Sequence, residues 1–146
     1  MAINEADLQR DLQNAMRARD RQRIDVLRGL IAAIKNAKVE RQVPALPEPE
    51  LLGLVRKELN KRAEVITYAK QAGRSDAIAQ AEAEQQILNA YLPQQLDADA
   101  LRSIVSAIAA ELKTTQIGPL MAELRKRHAG QFDGKLASEV IKELAR

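Results

Sequence analysis

Few residues of this chain are of types that carry out covalent chemistry. There is no cysteine and a single histidine, His128. Without thiolates there is no disulfide framework and no cysteine-bearing zinc site, and one histidine removes the usual His-containing ligand sets. Nucleophilic catalysis needs a Ser, Cys or Lys placed by a base. His128 is a poor base here, because it closes the run Arg125-Lys126-Arg127-His128, where neighbouring cations disfavour its second proton. It also lies beside a predicted helix end, where capping or a surface position is the plainer role. Neither a Walker-type phosphate loop nor a GxGxxG turn occurs. Among the carboxylates, Glu82 and Glu84 sit two apart and so point about 200° apart on a helix. They cannot share one site; a solvated helix or an ion pair to Arg74 suits them better. Asp76 and Glu82, six apart, make no metal face either. The residues therefore assign no catalytic group, no metal ligand, no cofactor and no small-molecule substrate.

The basic run has more to offer. Arg125, Lys126, Arg127 and His128 end a predicted helix, and Lys135 and Lys142 follow across a short turn. A compact three-helix unit could gather them on one side, where they would hold phosphates without reading bases. The same residues also read as an ordinary helix end, since cations favour the negative end of the helix dipole. The net charge of +3 does not choose between the two readings.

The elements that must position these residues are all helical. Hydrophobic residues make up 46% of the chain but aromatics only 2%, so the core is built from Ala, Leu, Ile and Val. Asn4 suits the cap of a first helix carrying Leu8, Leu12, Ala15 and Met16, with Asp7 in a similar role in its first turn. The apolar pattern lapses near Arg19-Asp20. Asp20 then suits the cap of a second helix with Val26, Leu27, Leu30 and Ile34, although one continuous helix fits as well. In a continuous helix Arg10, Arg17, Arg21, Arg28 and Lys35 fall on one stripe. That stripe reads as an anion-binding ridge or, with Asp7, Asp20 and Asp25 interspersed, as a solvated face. We take the second reading.

Val43 to Glu50 holds three prolines and is the clearest loop. Pro47 or Pro49 opens the next helix, with Glu48 and Glu50 at its positive end. This helix carries Leu51, Leu54, Val55, Leu59, Ala63 and Ile66, stops at Gly73 and is expected antiparallel to its predecessor. Ser75 or Asp76 is expected to cap the next helix, which buries Ile78, Ala81, Ile87 and Leu88. Proline cannot continue that pattern, so the chain turns at Pro93.

Beyond Pro93, Asp97 as cap puts Leu96 and Leu101 at the staple positions of an amphipathic helix with Ile104, Val105, Ile108 and Leu112. Gly118-Pro119 restarts a short helix, with Pro119 at its first position. Gln131 to Gly134 is a turn before a last helix with Leu136, Val140, Ile141 and Leu144. No strand is predicted. The expected architecture is all-α, with a multihelical N-terminal part over residues 1–93 and a small three-helix subdomain over residues 94–146. No window is apolar enough for a membrane span and no secretory signal opens the chain, so the default setting is cytoplasmic.

The chain resembles the GatB/YqeY family nearly end to end. The residues that carry the likeness are Arg62, Tyr68, Ala72-Gly73-Arg74, Asp76, Glu82, Glu84 and Tyr91-Leu92-Pro93. In the tail they are Ile117-Gly118, Met121, Asp133-Gly134-Lys135 and Val140. ARDRQRIDVLRGLIAAIKNAKVE resembles the family's basic-then-helical opening. A chain of this length is similar to the free-standing members and not to the larger B subunit of aspartyl/glutamyl-tRNA amidotransferase. Two positions depart from the pattern: Pro119 follows Gly118, and Ala77 stands where leucine is common.

The resemblance implies helical N- and C-terminal parts. It also implies a tail related to the one that helps the amidotransferase hold tRNA. It brings with it the activity of a carbon–nitrogen ligase with glutamine as amido-N-donor. That activity belongs to the complete amidotransferase, and nothing here resembles its ATP site or amidase subunit. The expectation is a non-catalytic tRNA-binding or tRNA-enzyme accessory domain. Its partner would be tRNA or a tRNA-charging or amidating enzyme, and Arg125, Lys126, Arg127, Lys135 and Lys142 would contact phosphates. Tyr68 and Tyr91 are expected at the subdomain junction, with little base stacking. The alternatives are a helical protein-interaction module that does not touch RNA, and a true ligase.

Overall fold

The computed structural model describes residues 3–146. Seven α-helices and no strand occur among them. The chain divides into two compact units, Met1–Leu92 and Pro93–Arg146, each with its own apolar core.

The first unit holds α1 (Glu5–Arg17), α2 (Arg21–Arg41), α3 (Glu48–Gln71) and α4 (Ser75–Asn89). Asn4 caps α1 reciprocally: its side chain accepts from the Asp7 N–H at 2.8 Å and donates to the Asp7 carboxylate at 2.9 Å. The helix then breaks, with Arg19 at φ 55°. Asp20 restarts it by accepting from the Arg23 N–H at 3.2 Å. Two helices form instead of one, so the stripe from Arg10 to Lys35 is not a single face. Two of its arginines have local carboxylate partners: Arg10 meets Asp7 at 3.0 Å and Arg21 meets Asp25 at 3.8 Å.

Helices α2 and α3 run antiparallel. Late α2 meets early α3 through the Arg41–Glu50 ion pair. Further back, Gly29 faces Glu58, whose Oε1 lies 3.8 Å from where a Cβ on Gly29 would be. Gly73 ends α3 in the left-handed region at φ 68°, while the Arg74 N–H bonds back to the Ala69 carbonyl at 2.9 Å. That turn is so short that α4 begins at Ser75, with Arg74 at the cap position and no side-chain cap bond. Neither Ser75 nor Asp76 caps it, contrary to expectation; both already lie inside the helix, and Asp76 acts only as an acid in its first turn. Leu8, Leu27, Leu30, Val55 and Leu88 are fully buried.

The second unit holds α5 (Ala98–Leu112), α6 (Ile117–Arg127) and α7 (Gly134–Ala145). Asp97 caps α5, accepting from the Ala100 N–H at 2.8 Å. Leu101 is fully buried and Leu96 packs on the same core, as a staple requires. The chain leaves α5 through Lys113 at φ 55°. Helix α6 starts at Ile117, which makes Pro119 its third residue and not its first. Proline is accommodated there because the first-turn N–H groups have no intrahelical partner. Phe132, the only phenylalanine, is buried in the turn between α6 and α7. Asp133 caps α7, although at 3.4 Å from the Leu136 N–H.

Candidate functional site

The basic run lies on the last turn of α6, but its side chains do not act together. Leu120 and Leu124 mark the inner face of the helix, and successive residues splay by about 100°. Arg127 turns toward α5 and grips Glu111 through both Nη atoms at 3.0 Å, with its Nε on Glu123 at 3.1 Å. These bonds raise the Arg127 pKa, and the bond to Arg127 pulls the Glu111 carboxyl below its ordinary range. Arg127 is therefore a clamp between α5 and α6. Arg102 does the same between α5 and α7, reaching Glu143 at 3.1 Å and Asp99 at 2.7 Å. His128 is the C-cap residue of α6, with Nδ1 3.1 Å from Gln131 Oε1. Lys126 is exposed, with Glu123 only at 4.0 Å. Arg125 on α6 and Lys135 and Lys142 on α7 are exposed, and no carboxylate pairs with them. Lys135 and Lys142 share the outer face of α7, opposite buried Ala137, Val140 and Ile141, with Glu139 between them.

The other motif residues divide by role. Arg62 bridges two helices, with Glu58 at 3.4 Å on α3 and Glu84 at 3.8 Å on α4. Glu58 is the one charged residue buried among the described residues, 6% exposed, and Lys61 also reaches it at 3.0 Å. Glu84 therefore pairs with Arg62 and not with Arg74, which approaches only Asp76, at 3.9 Å. Glu82 is exposed. Tyr68 is not packed at a junction: it is 68% exposed on α3, one turn beyond Val65 at 48%. Gly118 is the second residue of α6, Met121 packs on the second core, and Gly134 begins α7 after its cap Asp133.

Tyr91 forms a site that the sequence reading did not find. Its hydroxyl donates to Asp11 Oδ2 at 2.6 Å, tying the exit from α4 to α1 within the first unit. Burial pushes the Tyr91 pKa well up, and the Asp11 carboxylate adds to the shift by bond and charge. The guanidiniums of Arg23 and Arg10 pull the other way. Tyr91 and Leu92 pack against the first core, and Pro93 follows. A cleft of about 590 Å³ opens beside this pair. The two residues are eighty positions apart, so no local spacing signals the contact. The signal for Glu58 was present: it falls on the inner stripe of α3, between Val55 and Arg62.

Among the described residues, no group of acidic or histidine side chains is arranged to hold a metal ion. No helix is long and apolar enough to cross a membrane.

The chain matches the family described as Yqey-like protein over residues 5–145. "Altered inheritance of mitochondria protein 41, mitochondrial" of Lachancea thermotolerans is 30% identical over 145 residues, covering 94% of this chain and 76% of that relative. The protein of the same name in Eremothecium gossypii is 30% identical over 112 residues, covering 75% of this chain and 61% of its own length. The one in Vanderwaltozyma polyspora is 28% identical over 97 residues, 62% of this chain and 52% of its own length. All three are named as mitochondrial, which overturns the cytoplasmic default. That default rested only on signals not seen in composition and patterning, and such signals do not specify a compartment.

Proposed function

The chain belongs to the Yqey-like family, and on that footing we propose that it is a non-catalytic accessory protein that contacts the phosphate backbone of tRNA through its C-terminal unit. One observation carries the reading. Among the described residues Arg125, Lys135 and Lys142 are exposed with no carboxylate partner, and Lys126 is held only at 4.0 Å, whereas Arg102 and Arg127 of the same unit are tied between helices. Free surface cations suit backbone contacts that recognise folded RNA by shape. Arg127 has another task, so the contact set is narrower than the basic run suggests. The names of the relatives support a mitochondrial setting for this role.

The test is a titration of the full chain with bulk tRNA across salt concentrations. Each neutralised phosphate contributes roughly 0.7–0.9 to the log–log slope, so a slope of about −3 or steeper is expected. Changing Arg125, Lys126, Lys135 and Lys142 to Ala flattens the slope. Arg127→Ala lowers the melting temperature of the second unit and leaves the slope nearly unchanged. Absence of binding at low salt overturns the proposal.

A second reading, a protein-docking module, is favoured by exposed Tyr68 and Val65 on one side of α3. It gains if tRNA does not bind and Tyr68→Ala abolishes association with a purified tRNA-charging or amidating enzyme. Turnover of glutamine and ATP by the isolated chain would refute the non-catalytic reading altogether.

A further inference from the structure

The cleft beside Tyr91 plays no part in RNA contact as proposed above. Its volume of about 590 Å³ lies within the roughly 300–1,000 Å³ of small-molecule sites. Asp11 and Asn14 of α1, Arg23 of α2 and Tyr91 at the exit of α4 form its walls, with exposed Ala18 and Ala90 supplying apolar surface.

What the cleft can bind follows from which of its charges are already occupied. Asp7 accepts from Asn4 and pairs with Arg10 at 3.0 Å. Asp20 is spent on capping α2, through the Arg23 N–H at 3.2 Å and its Nε at 3.4 Å. Asp11 differs: among the described residues it receives only the Tyr91 hydroxyl, on Oδ2, and no cation pairs with it. One carboxylate oxygen is thus open to a hydrogen-bond donor. The two guanidiniums belong to different helices but both line the same cleft. Each is held by an exposed pair three residues away on its own helix. Such pairs are worth about 0–1 kcal/mol, so an incoming anion displaces them at little cost.

We propose that this cleft binds a small zwitterion of the amino-acid or short-peptide class, with its ammonium on Asp11, its carboxylate on Arg10 and Arg23, and its apolar body along Ala18 and Ala90. A simple cation would leave the guanidiniums unused, and a simple anion would face Asp7, Asp11 and Asp20. The inference does not depend on RNA binding.

The sequence supplies a reporter. There is no tryptophan and there are two tyrosines, so Tyr68→Phe leaves Tyr91, in the cleft wall, as the only fluorophore of its kind. The full-length Tyr68→Phe protein is titrated with L-leucine and with the dipeptide Gly-Leu, which separates free amino acids from peptide ends. Each probe is compared with its methyl ester, which lacks the anion, and its N-acetyl form, which lacks the cation. A saturable change in Tyr91 emission is expected for at least one parent probe, with Kd of about 1–10 mM. Each blocked form should bind roughly tenfold more weakly. Asp11→Asn, which keeps an acceptor for Tyr91, should erase the difference between the parent and its N-acetyl form. Because the blocked probes act on an unchanged protein, misfolding cannot mimic the result. The proposal is overturned if neither parent gives a saturable change up to about 50 mM, or if the blocked forms bind as well as the parent.

Discussion

Tyr91→Phe removes one oxygen and leaves the ring that packs on the first core, so its effect reports the bond to Asp11 alone. The bond is short, 2.6 Å, and its acceptor is a carboxylate. A hydrogen bond to a charged group contributes about 1.5–3 kcal/mol net. Tyr91 is only half-buried, and water can replace part of the lost bond. The loss therefore falls at or just below that range, about 1–1.5 kcal/mol. With a urea dependence of about 1 kcal/mol/M for a unit of this size, the midpoint should fall by roughly 1 M.

The pH dependence gives an independent check. The phenol pKa is raised in the folded state, by burial first and by Asp11 second. The folded protein then holds that proton where the unfolded chain, with tyrosine near about 10, has released it. This contribution is fully present below about pH 10 and is lost as pH rises above it, at up to about 1.4 kcal/mol per pH unit. Urea melts of wild type and variant, followed by helical circular dichroism at neutral pH and again above pH 10, should therefore converge as the solution becomes alkaline. If the two proteins differ by less than about 0.3 kcal/mol at neutral pH, or their alkaline limbs stay parallel, the latch contributes nothing and the reasoning fails.

Other substitutions test other joints. Gly73→Ala meets no neighbour within 4 Å but must adopt φ 68°; a loss of about 1–2 kcal/mol is expected in urea melts, all of it conformational. Gly29→Ala lies inside α2, and its Cβ would sit in ordinary contact with Glu58 Oε1 at 3.8 Å. The helix propensity gain of up to about 1 kcal/mol should appear as a higher unfolding midpoint. Glu58→Ala strips Arg62 of its nearer carboxylate and should cost roughly 3 kcal/mol. In a double-mutant cycle with Arg62→Ala the two losses should be clearly less than additive.

Local chemistry made much of the fold legible. Asn4, Asp20 and Asp97 all occupy cap positions, because a cap needs only its own side chain and the N–H groups of the next turn. Gly73 and the loop before α3 were equally readable. The left-handed conformation at Arg19, Gln42 and Lys113 was not, because none of the three is glycine. Pro119 and Ser75 were placed by preference for a helix start, but the adjoining turns decided the register. The basic run was read as one patch because sequence adjacency hides the rotation between neighbours. Glu111, which claims Arg127, lies sixteen residues away on another helix.

The buried charge at Glu58 makes sense beside the composition of the helices it joins. Over their far halves α3 and α4 bury only small side chains fully, Ala69 and Ala81, with Ile66 and Ile78 half-buried. Alternating alanines along α4 offer several nearly equivalent registers, since a one-turn slip replaces one methyl with another. Apolar packing over those halves therefore adds little to the register that the short turn at Gly73 and buried Leu88 set. Arg62, reaching Glu58 on its own helix and Glu84 on the next, has a partner across the interface in one register only. Apolar replacements of buried ion pairs are often as stable or more so, so stability alone does not account for the network. Register specificity does. Replacing Glu58, Arg62 and Glu84 together by Leu, Met and Leu should therefore keep the helix content and melting temperature while loosening the hairpin. The loosening would be read as faster amide exchange at Ala69 and Ala81. Unchanged exchange at those two residues in a stable triple variant would remove the register argument.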